Sequence, residues 1–233
     1  MIRIGTSGYN YPEWKGRFYP EKLSAAKMLG YYAERLPTVE INYTFYRVPT
    51  VTILEGWAAQ TPDAFVLTLK APRRVTHIQR LRDVAEPVAG FFEMARVLGP
   101  KLGAVLFQLP PFLQKDAPLL RAFVATLPAG ACAAFEFRHA SWFDDDVMGI
   151  LRDRNLALCI ADSEKLSAPV HITADYAYFR LRDEGYTPDD LARWADVIRA
   201  RTATCREVFV YFKHEDTGKG PEFAHMLREH LGC

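Results

Sequence analysis

Eight short runs rich in β-branched and aromatic residues recur along the chain, at 2–7, 39–46, 65–71, 103–109, 132–138, 156–162, 176–182 and 208–213. Runs of this length and composition read as strands. Between most of them lie longer segments whose apolar residues return at helical spacing, at 25–36, 84–98, 117–127, 145–154, 189–200 and 222–231. Cap signals mark two of the starts. Ser24 precedes the first helix, and Thr187-Pro188-Asp189-Asp190 sets a proline in the first turn behind a hydroxyl cap. The link after Asp162 carries the weakest helical signal.

Strands that alternate with helices pair in parallel, because each helix carries the chain back to the same edge. Eight of them predict an α/β fold, a (β/α)8 TIM-type barrel, as a single domain over residues 1–233. An open doubly wound sheet is the alternative arrangement of the same elements. No low-complexity tract, charge block or Ser/Gly linker interrupts the pattern.

Composition narrows the partners. The chain is 49% hydrophobic over 233 residues, enough for a sizeable core. A formal net charge of +1 gives no global attraction to nucleic acid or anionic membrane, so any basic site is local. The four cysteines, Cys132, Cys159, Cys205 and Cys233, show no C-x-x-C spacing, and two of them sit in strand-like runs where a thiol acts as a small hydrophobe. That usage fits a reducing compartment. The start has no basic region leading into an apolar stretch and cleavage site, and no run reaches the roughly 18 apolar residues of a membrane span. The expectation is a cytoplasmic protein without a membrane partner.

In such a barrel the C-terminal strand ends form the active face. Here nearly every run ends on polar residues. Thr6 and Ser7 close the first, Glu40 and Asn42 lie in the second, Lys70 closes the third and Gln108 the fourth. Glu136 and Arg138 close the fifth, Asp162 the sixth, Arg180 and Arg182 the seventh, and Lys213 and His214 the eighth. Strand side chains two apart share a face, so the stretch 133–143 turns Phe135 and Phe137 one way and Glu136 and Arg138 the other. Burying charge is costly unless it is paired. Either an ion-pair layer fills the barrel or the polar residues converge on a site in its mouth, and convergence from so many strands favours the site.

Several segments carry a family resemblance. Gly5-Thr6-Ser7-Gly8-Tyr9 with Tyr11-Pro12-Glu13-Trp14-Lys15-Gly16-Arg17-Phe18-Tyr19-Pro20 opens the chain, and Val39-Glu40-Ile41-Asn42-Tyr43-Thr44-Phe45-Tyr46 follows. Next come Lys70-Ala71-Pro72-Arg73 with Thr76-His77, Leu106-Phe107-Gln108-Leu109-Pro110-Pro111, Glu136-Phe137-Arg138-His139 with Ser141-Trp142, and Ala161-Asp162. In this order they resemble the DUF72 family, also called YecE-like proteins, along essentially the whole chain. The resemblance implies a TIM-type barrel and supplies no activity, since none is established for the family. Tyr9-Asn10 and Tyr43 stand where many relatives have Trp-Ser and Ser, and Phe212-Lys213-His214-Glu215-Asp216 where many have an Asn pair.

The segment 70–82 concentrates cations after strand three, with Lys70, Arg73, Arg74, His77, Arg80 and Arg82. Together with Arg138, Arg180 and Lys213 it predicts a pocket for phosphate or carboxylate, which arginine holds through two parallel hydrogen bonds. Asn42 and Gln108 join the substrate-binding set. Most rim aromatics read as loop packing, but Trp14 and Trp142 are candidates to stack on a sugar ring or base, and Tyr46 joins the substrate-binding set. The acid-base candidates are Glu136, Asp162, Glu40 and His77, with His139 and His214 on adjacent loops.

Two flanking carboxylates suit glycoside hydrolysis. By analogy with barrel glycosidases, however, they belong at the ends of strands four and seven, where this chain has Gln108 and Arg180. A divalent metal would compete with Arg138, Arg180 and Lys213, and no histidine pair has ligand spacing, so no cofactor is implied and a metal is the weaker reading. The leading expectation is an enzyme acting on a small anionic substrate, a phosphorylated sugar or nucleotide. Arg138, Arg180 and Lys70 would hold the anion while Glu136 or Asp162, with His77, moves a proton. The alternatives are a nucleic-acid-binding or nuclease-like barrel using Arg73, Arg74, Arg80 and the rim aromatics, and a non-catalytic metabolite sensor.

Overall fold

A computed structural model describes residues 1–162, 166–183, 185–213 and 218–233. Eight parallel strands pair in chain order and the last closes onto the first. They are β1 (Ile2–Ser7), β2 (Thr38–Ile41), β3 (Val66–Lys70), β4 (Leu102–Gln108), β5 (Ala133–Glu136), β6 (Ala157–Ala161), β7 (Tyr176–Leu181) and β8 (Glu207–Phe212). Around them run α1 (Ala25–Ala33), α2 (Tyr43–Tyr46), α3 (Val51–Ala59), α4 (Ala85–Ala95), α5 (Ala117–Ala125), α6 (Asp145–Asp153), α7 (Pro188–Arg201) and α8 (Lys219–Leu231). This is the TIM-type barrel that the strand count predicts, and the closed pairing rules out the open sheet.

Two stretches depart from the sequence pattern. The run 39–46 divides, with β2 ending at Ile41 and Tyr43–Tyr46 forming a helical turn. Thr44 causes the break, because its hydroxyl bonds the carbonyls of Ile41 (3.1 Å) and Lys70 (2.6 Å) and folds a β-prone sequence back over the strand end. Helix α3 has no counterpart in the periodicity reading. Its Val51-Thr52-Ile53 start and its Gly56 are weak helix formers, yet the Thr50 hydroxyl accepts from the Ile53 amide at 3.4 Å and caps it.

Other local signals hold. The Thr187 hydroxyl accepts from the Asp190 amide (3.2 Å) while the Asp190 carboxylate accepts from the Thr187 amide (2.8 Å), closing a capping box on α7. Ser24 occupies the cap position of α1 without a side-chain hydrogen bond. The described residues between β6 and β7 contain no helix. The Thr173 hydroxyl pins that link, accepting from Leu158 N (2.8 Å) and donating to Leu156 O (2.7 Å).

The core has two layers. Outside the strands, Phe135 stacks on Phe107 at 5.4 Å, and Phe137 stacks on Trp142 at 4.8 Å. Inside, Ala104, Ala134, Ala157, Cys159 and Ala161 form a wall of small side chains opposite Tyr176, Tyr178, Phe209 and Tyr211. Small residues on one side make room for rings on the other, so the barrel is packed rather than hollow. The Tyr211 hydroxyl meets those of Thr38 (2.8 Å) and Thr68 (2.7 Å), which satisfies the polar atom that this ring brings inside.

Candidate functional site

A layer of buried charge lies at the C-terminal ends of the strands. Arg180 on β7 sits between two carboxylates, its Nη2 donating to Glu40 at 2.8 Å and its Nη1 to Glu136. All three residues are 0% exposed. Ser7, at the end of β1, donates its hydroxyl to Glu40 and accepts from Arg180 and Asn42, each at 3.0 Å. Tyr178 donates to the second oxygen of Glu40. Gln108 donates to Glu136 at 2.8 Å, Arg182 to the same oxygen at 3.3 Å, and Arg138 Nε lies 3.8 Å from it. Burial alone would push the Glu136 carboxyl up, but Arg180, Arg182 and Arg138 outweigh it and hold its pKa at about 2. Burial likewise opposes the charge on Arg180, and Glu136 and Glu40 overcome that and keep it firmly protonated.

Above this layer opens a cavity of about 600 Å³. Lys70, Arg73, Arg138, Arg182, Lys213 and His77 line it, with Asn42 and Gln108 as neutral polar groups and Tyr11, Tyr43, Phe45 and Tyr46 as rings. Among the described residues no carboxylate does. The Lys70 ammonium rests 4.3 Å from the centre of the Phe45 ring, and the His77 imidazole meets the same ring edge-on at 5.0 Å. Burial, and then the charge of Arg180, lowers the Lys70 pKa to about 8. Burial and the neighbouring Lys70 also lower the His77 pKa, and its Nδ1 lies 2.9 Å from the Thr76 hydroxyl. His77 rides on a short π-helical turn, Arg74–Ile78.

Two smaller spaces adjoin. One of about 540 Å³ brings in Glu136 and His139 and shares Arg138 and Arg182 with the main cavity. The other, about 350 Å³, is walled by Tyr9 and Trp57 and shares Tyr11, Asn42 and Tyr43. Gly8 makes the second possible. Its φ is 91°, and a β-carbon there would lie 2.1 Å from the Tyr11 hydroxyl, which bonds the Ser7 carbonyl at 2.9 Å.

The structure therefore sorts the sequence candidates. Lys70, Arg138, Lys213, Asn42, Gln108, His77 and Tyr46 meet at the cavity. Glu40, Glu136 and Arg180 lie beneath it. Trp14 and Trp142 are corrections: both are buried, not exposed on the rim. Trp142 Nε1 donates to Leu113 O at 2.7 Å and its ring stacks on Phe137, while Trp14 packs among Tyr11, Phe18 and Tyr19. Asp162 lines none of these spaces. Its carboxylate accepts from the Arg182 amide (2.6 Å) and the Tyr186 hydroxyl, so it ties the end of β7, although burial raises its pKa. His139 Nδ1 lies 2.8 Å from the Ser141 hydroxyl and caps a short turn. His214 lies outside the described residues. Of the basic loop, Arg73 reaches the cavity, Arg74 bonds Gln79 at 3.0 Å, and Arg80 lies over the Phe112 ring.

Arg182, Ser7, Tyr178, Phe45, Tyr11 and Tyr43 are site residues that the sequence reading left out of its site. For two of them the signal was present, since Tyr178 and Arg182 flank Arg180 at two-residue spacing and share its face. Among the described residues no three His, Cys, Asp or Glu side chains gather as a metal-holding group, and no helix is long and apolar enough to cross a membrane.

Comparison with known proteins joins this architecture to a sequence family. The UPF0759 protein YunF of Bacillus subtilis (strain 168) is 24% identical, over 99% of this chain and 95% of its own length. A DUF72 family protein (TM1631) from Thermotoga maritima MSB8 superposes with a TM-score of 0.87 at 26% identity, over the whole of both chains. A second DUF72 structure (EF0366), from Enterococcus faecalis V583, gives a TM-score of 0.85 at 19% identity, covering all of this chain and 96% of that one, and shares the fold. The family model for the protein of unknown function DUF72 matches residues 3–233, from the first barrel strand through the last helix, and the chain belongs to that family.

Proposed function

We propose that the protein is an enzyme acting on a small anionic substrate, a phosphorylated sugar or a nucleotide, bound in the cationic cavity above the Glu40–Arg180–Glu136 layer. One observation carries this reading: Lys70, Arg73, Arg138, Arg182 and Lys213 line the cavity, and among the described residues no carboxylate lines it with them. Like charges packed around one concavity repel, and a bound anion offsets that repulsion. Arg138 and Arg182 supply guanidinium forks for phosphate or carboxylate, and the buried Arg182 Nε has no hydrogen-bond partner among the described residues.

The same geometry supports a reading of the proton chemistry. Glu136, with its pKa at about 2, stays a carboxylate at neutral pH and positions Arg138 and Arg182 rather than donating protons. Lys70 faces the cavity with its pKa lowered toward neutrality, to about 8, and His77 faces it with its pKa lowered below the ordinary 6.5, which favours a neutral imidazole able to accept a proton.

Thermal unfolding of chelator-treated protein against inorganic phosphate, sugar phosphates, nucleotides and short oligonucleotides tests the reading. Small phosphorylated compounds are expected to stabilise the fold by about 2.7 kcal/mol at ligand concentrations of roughly 100 Kd. Arg138→Ala and Arg182→Ala should remove most of that gain. Stabilisation by oligonucleotides alone, falling steeply with salt, would transfer the site to nucleic acid. A specific ligand that is never turned over would make the protein a sensor.

A further inference from the structure

We propose that Lys70 is a nucleophile whose amine condenses with the carbonyl carbon of a small aldehyde or ketone carrying a phosphate or carboxylate, forming an imine in the cavity. The inference rests on the anion-binding reading of the same cavity and deepens it by naming a substrate class and a reaction.

The placement of Lys70 differs from that of an ordinary buried lysine. It is the last residue of β3, so its backbone is fixed by the barrel, and the residue is only 8% exposed. An enclosed ammonium usually has a carboxylate against it. Here the two carboxylates below are already committed, Glu40 to Arg180, Ser7 and Tyr178, and Glu136 to Arg180, Arg182 and Gln108. What Lys70 meets instead is the face of Phe45, with Arg180 and Lys213 as like charges nearby. Desolvation, then Arg180 and Lys213, favour the neutral amine, the form that holds the lone pair, and together outweigh the opposing pull of Glu40 and Glu136. The resulting pKa of about 8 leaves a useful fraction of free amine near neutral pH.

The surroundings supply the rest of the chemistry. Arg138 and Arg182 can hold the anionic group of the substrate against the cavity wall. His77 packs on the same Phe45 ring as Lys70, and its Nδ1 is anchored by Thr76. It is thereby held as an imidazole that can accept or return a proton beside the amine.

The lysine nitrogen forms a bond to the carbonyl carbon as the C=O π pair moves onto oxygen, which takes up a proton. The nitrogen gives a proton to His77. Protonation of the carbinolamine hydroxyl then lets water leave, and the nitrogen lone pair closes the C=N bond. Amine and carbonyl become imine and water with no change of oxidation state. Protonated, the imine draws electrons from the adjacent carbon, so the reaction class is carbon–carbon cleavage, or proton removal, next to a carbonyl.

Reductive trapping tests this. The protein is incubated with glyoxylate or with glycolaldehyde phosphate, reduced with sodium borohydride, digested, and its lysines quantified by mass spectrometry. Lys70 is expected to carry the reduced adduct, forming roughly 10-fold faster than at the exposed Lys22 and Lys27, because far more of its amine is free at pH 7. The rate should rise with pH to half its maximum near the pKa of about 8, and inorganic phosphate should suppress it. The two probes separate a carboxylate from a phosphate requirement. Lys70→Arg should abolish the adduct while inorganic phosphate still raises the melting temperature. If Lys70 labels no faster than the exposed lysines with either probe, the imine proposal is overturned. Phosphate stabilisation that persists in that case would leave Lys70 as an anion contact, and its absence would remove the anion-binding reading as well.

Discussion

Glu136 and Lys70 lie close together, and their environments shift them in ways that have opposite consequences for stability. Glu136 titrates at about 2 in the folded chain, below its ordinary value of 4.5. Between those values the unfolded chain binds more protons, so the stability that Glu136 contributes is complete above pH 4.5 and is lost as pH falls toward 2. Glu136→Gln is expected to flatten that acid limb in urea titrations and to cost about 3–5 kcal/mol at pH 7, since it leaves Arg180 and Arg182 short of their counter-ion. Lys70 is shifted down from 10.5 to about 8, so the unfolded chain again binds more protons between those values and stability rises with pH across them. Lys70→Met should abolish that rise and stabilise the protein by about 1–3 kcal/mol at pH 7, measured by denaturant unfolding in phosphate-free buffer. Such a gain fits a residue kept for chemistry rather than for the fold.

Strand β7 and the residue after it show how one stretch divides between the buried layer and the cavity. Tyr178, Arg180 and Arg182 alternate with Phe179 and Leu181, which pack outward in the main core. Arg180 is fully enclosed, whereas Arg182 reaches the cavity. Arg180→Ala is expected to destabilise by about 3–5 kcal/mol because it strands Glu40 and Glu136 without a counter-charge. Arg182→Ala should cost far less stability and weaken binding of small anions roughly 10- to 100-fold, the loss of one charge-assisted contact. Isothermal titration and urea unfolding on the same two variants read that split. The loop after β5 supplies the complementary case, since Trp142→Ala should lose about 3–5 kcal/mol of stability from its buried ring and its bond to Leu113. These elements were unequally legible. The alternation in β5 and β7 announces which side chains face inward, and Thr187 with Asp190 announces the start of α7. The turn at Tyr43–Tyr46 could not be read, because a β-prone sequence is bent by a Thr44 bond to a carbonyl on the neighbouring strand.

At the scale of the whole molecule, a net charge of +1 conceals a cavity that, among the described residues, is lined by cations and by no carboxylate. Stabilisation by inorganic phosphate should therefore weaken as sodium chloride rises from about 0.05 to about 0.3 M, while the unliganded protein changes little, since the exposed part of the site is screened and the buried layer is not. Melting curves at matched phosphate and varied salt measure this. Barrel closure explains what could and could not be read in advance. The number of strands, their parallel pairing and the inward face of Glu136 and Arg180 follow from periodicity, because each is local and repeats every two residues or every few turns. The motif order identified the family for the same reason. Which polar residues touch solvent was another matter. Arg180 and Arg182 are equivalent in sequence, yet one lies under the cavity floor and the other in its wall; Trp14 and Trp142 read as rim aromatics and fold inward; Asp162 ends a strand and serves its neighbour's backbone. Those outcomes depend on how far each side chain sits along the barrel axis and on which partners from distant strands reach it first. Sequence by itself determined the barrel and the set of polar strand ends, and only closure of the barrel decided which of them neutralise one another in the interior and which line the open cavity.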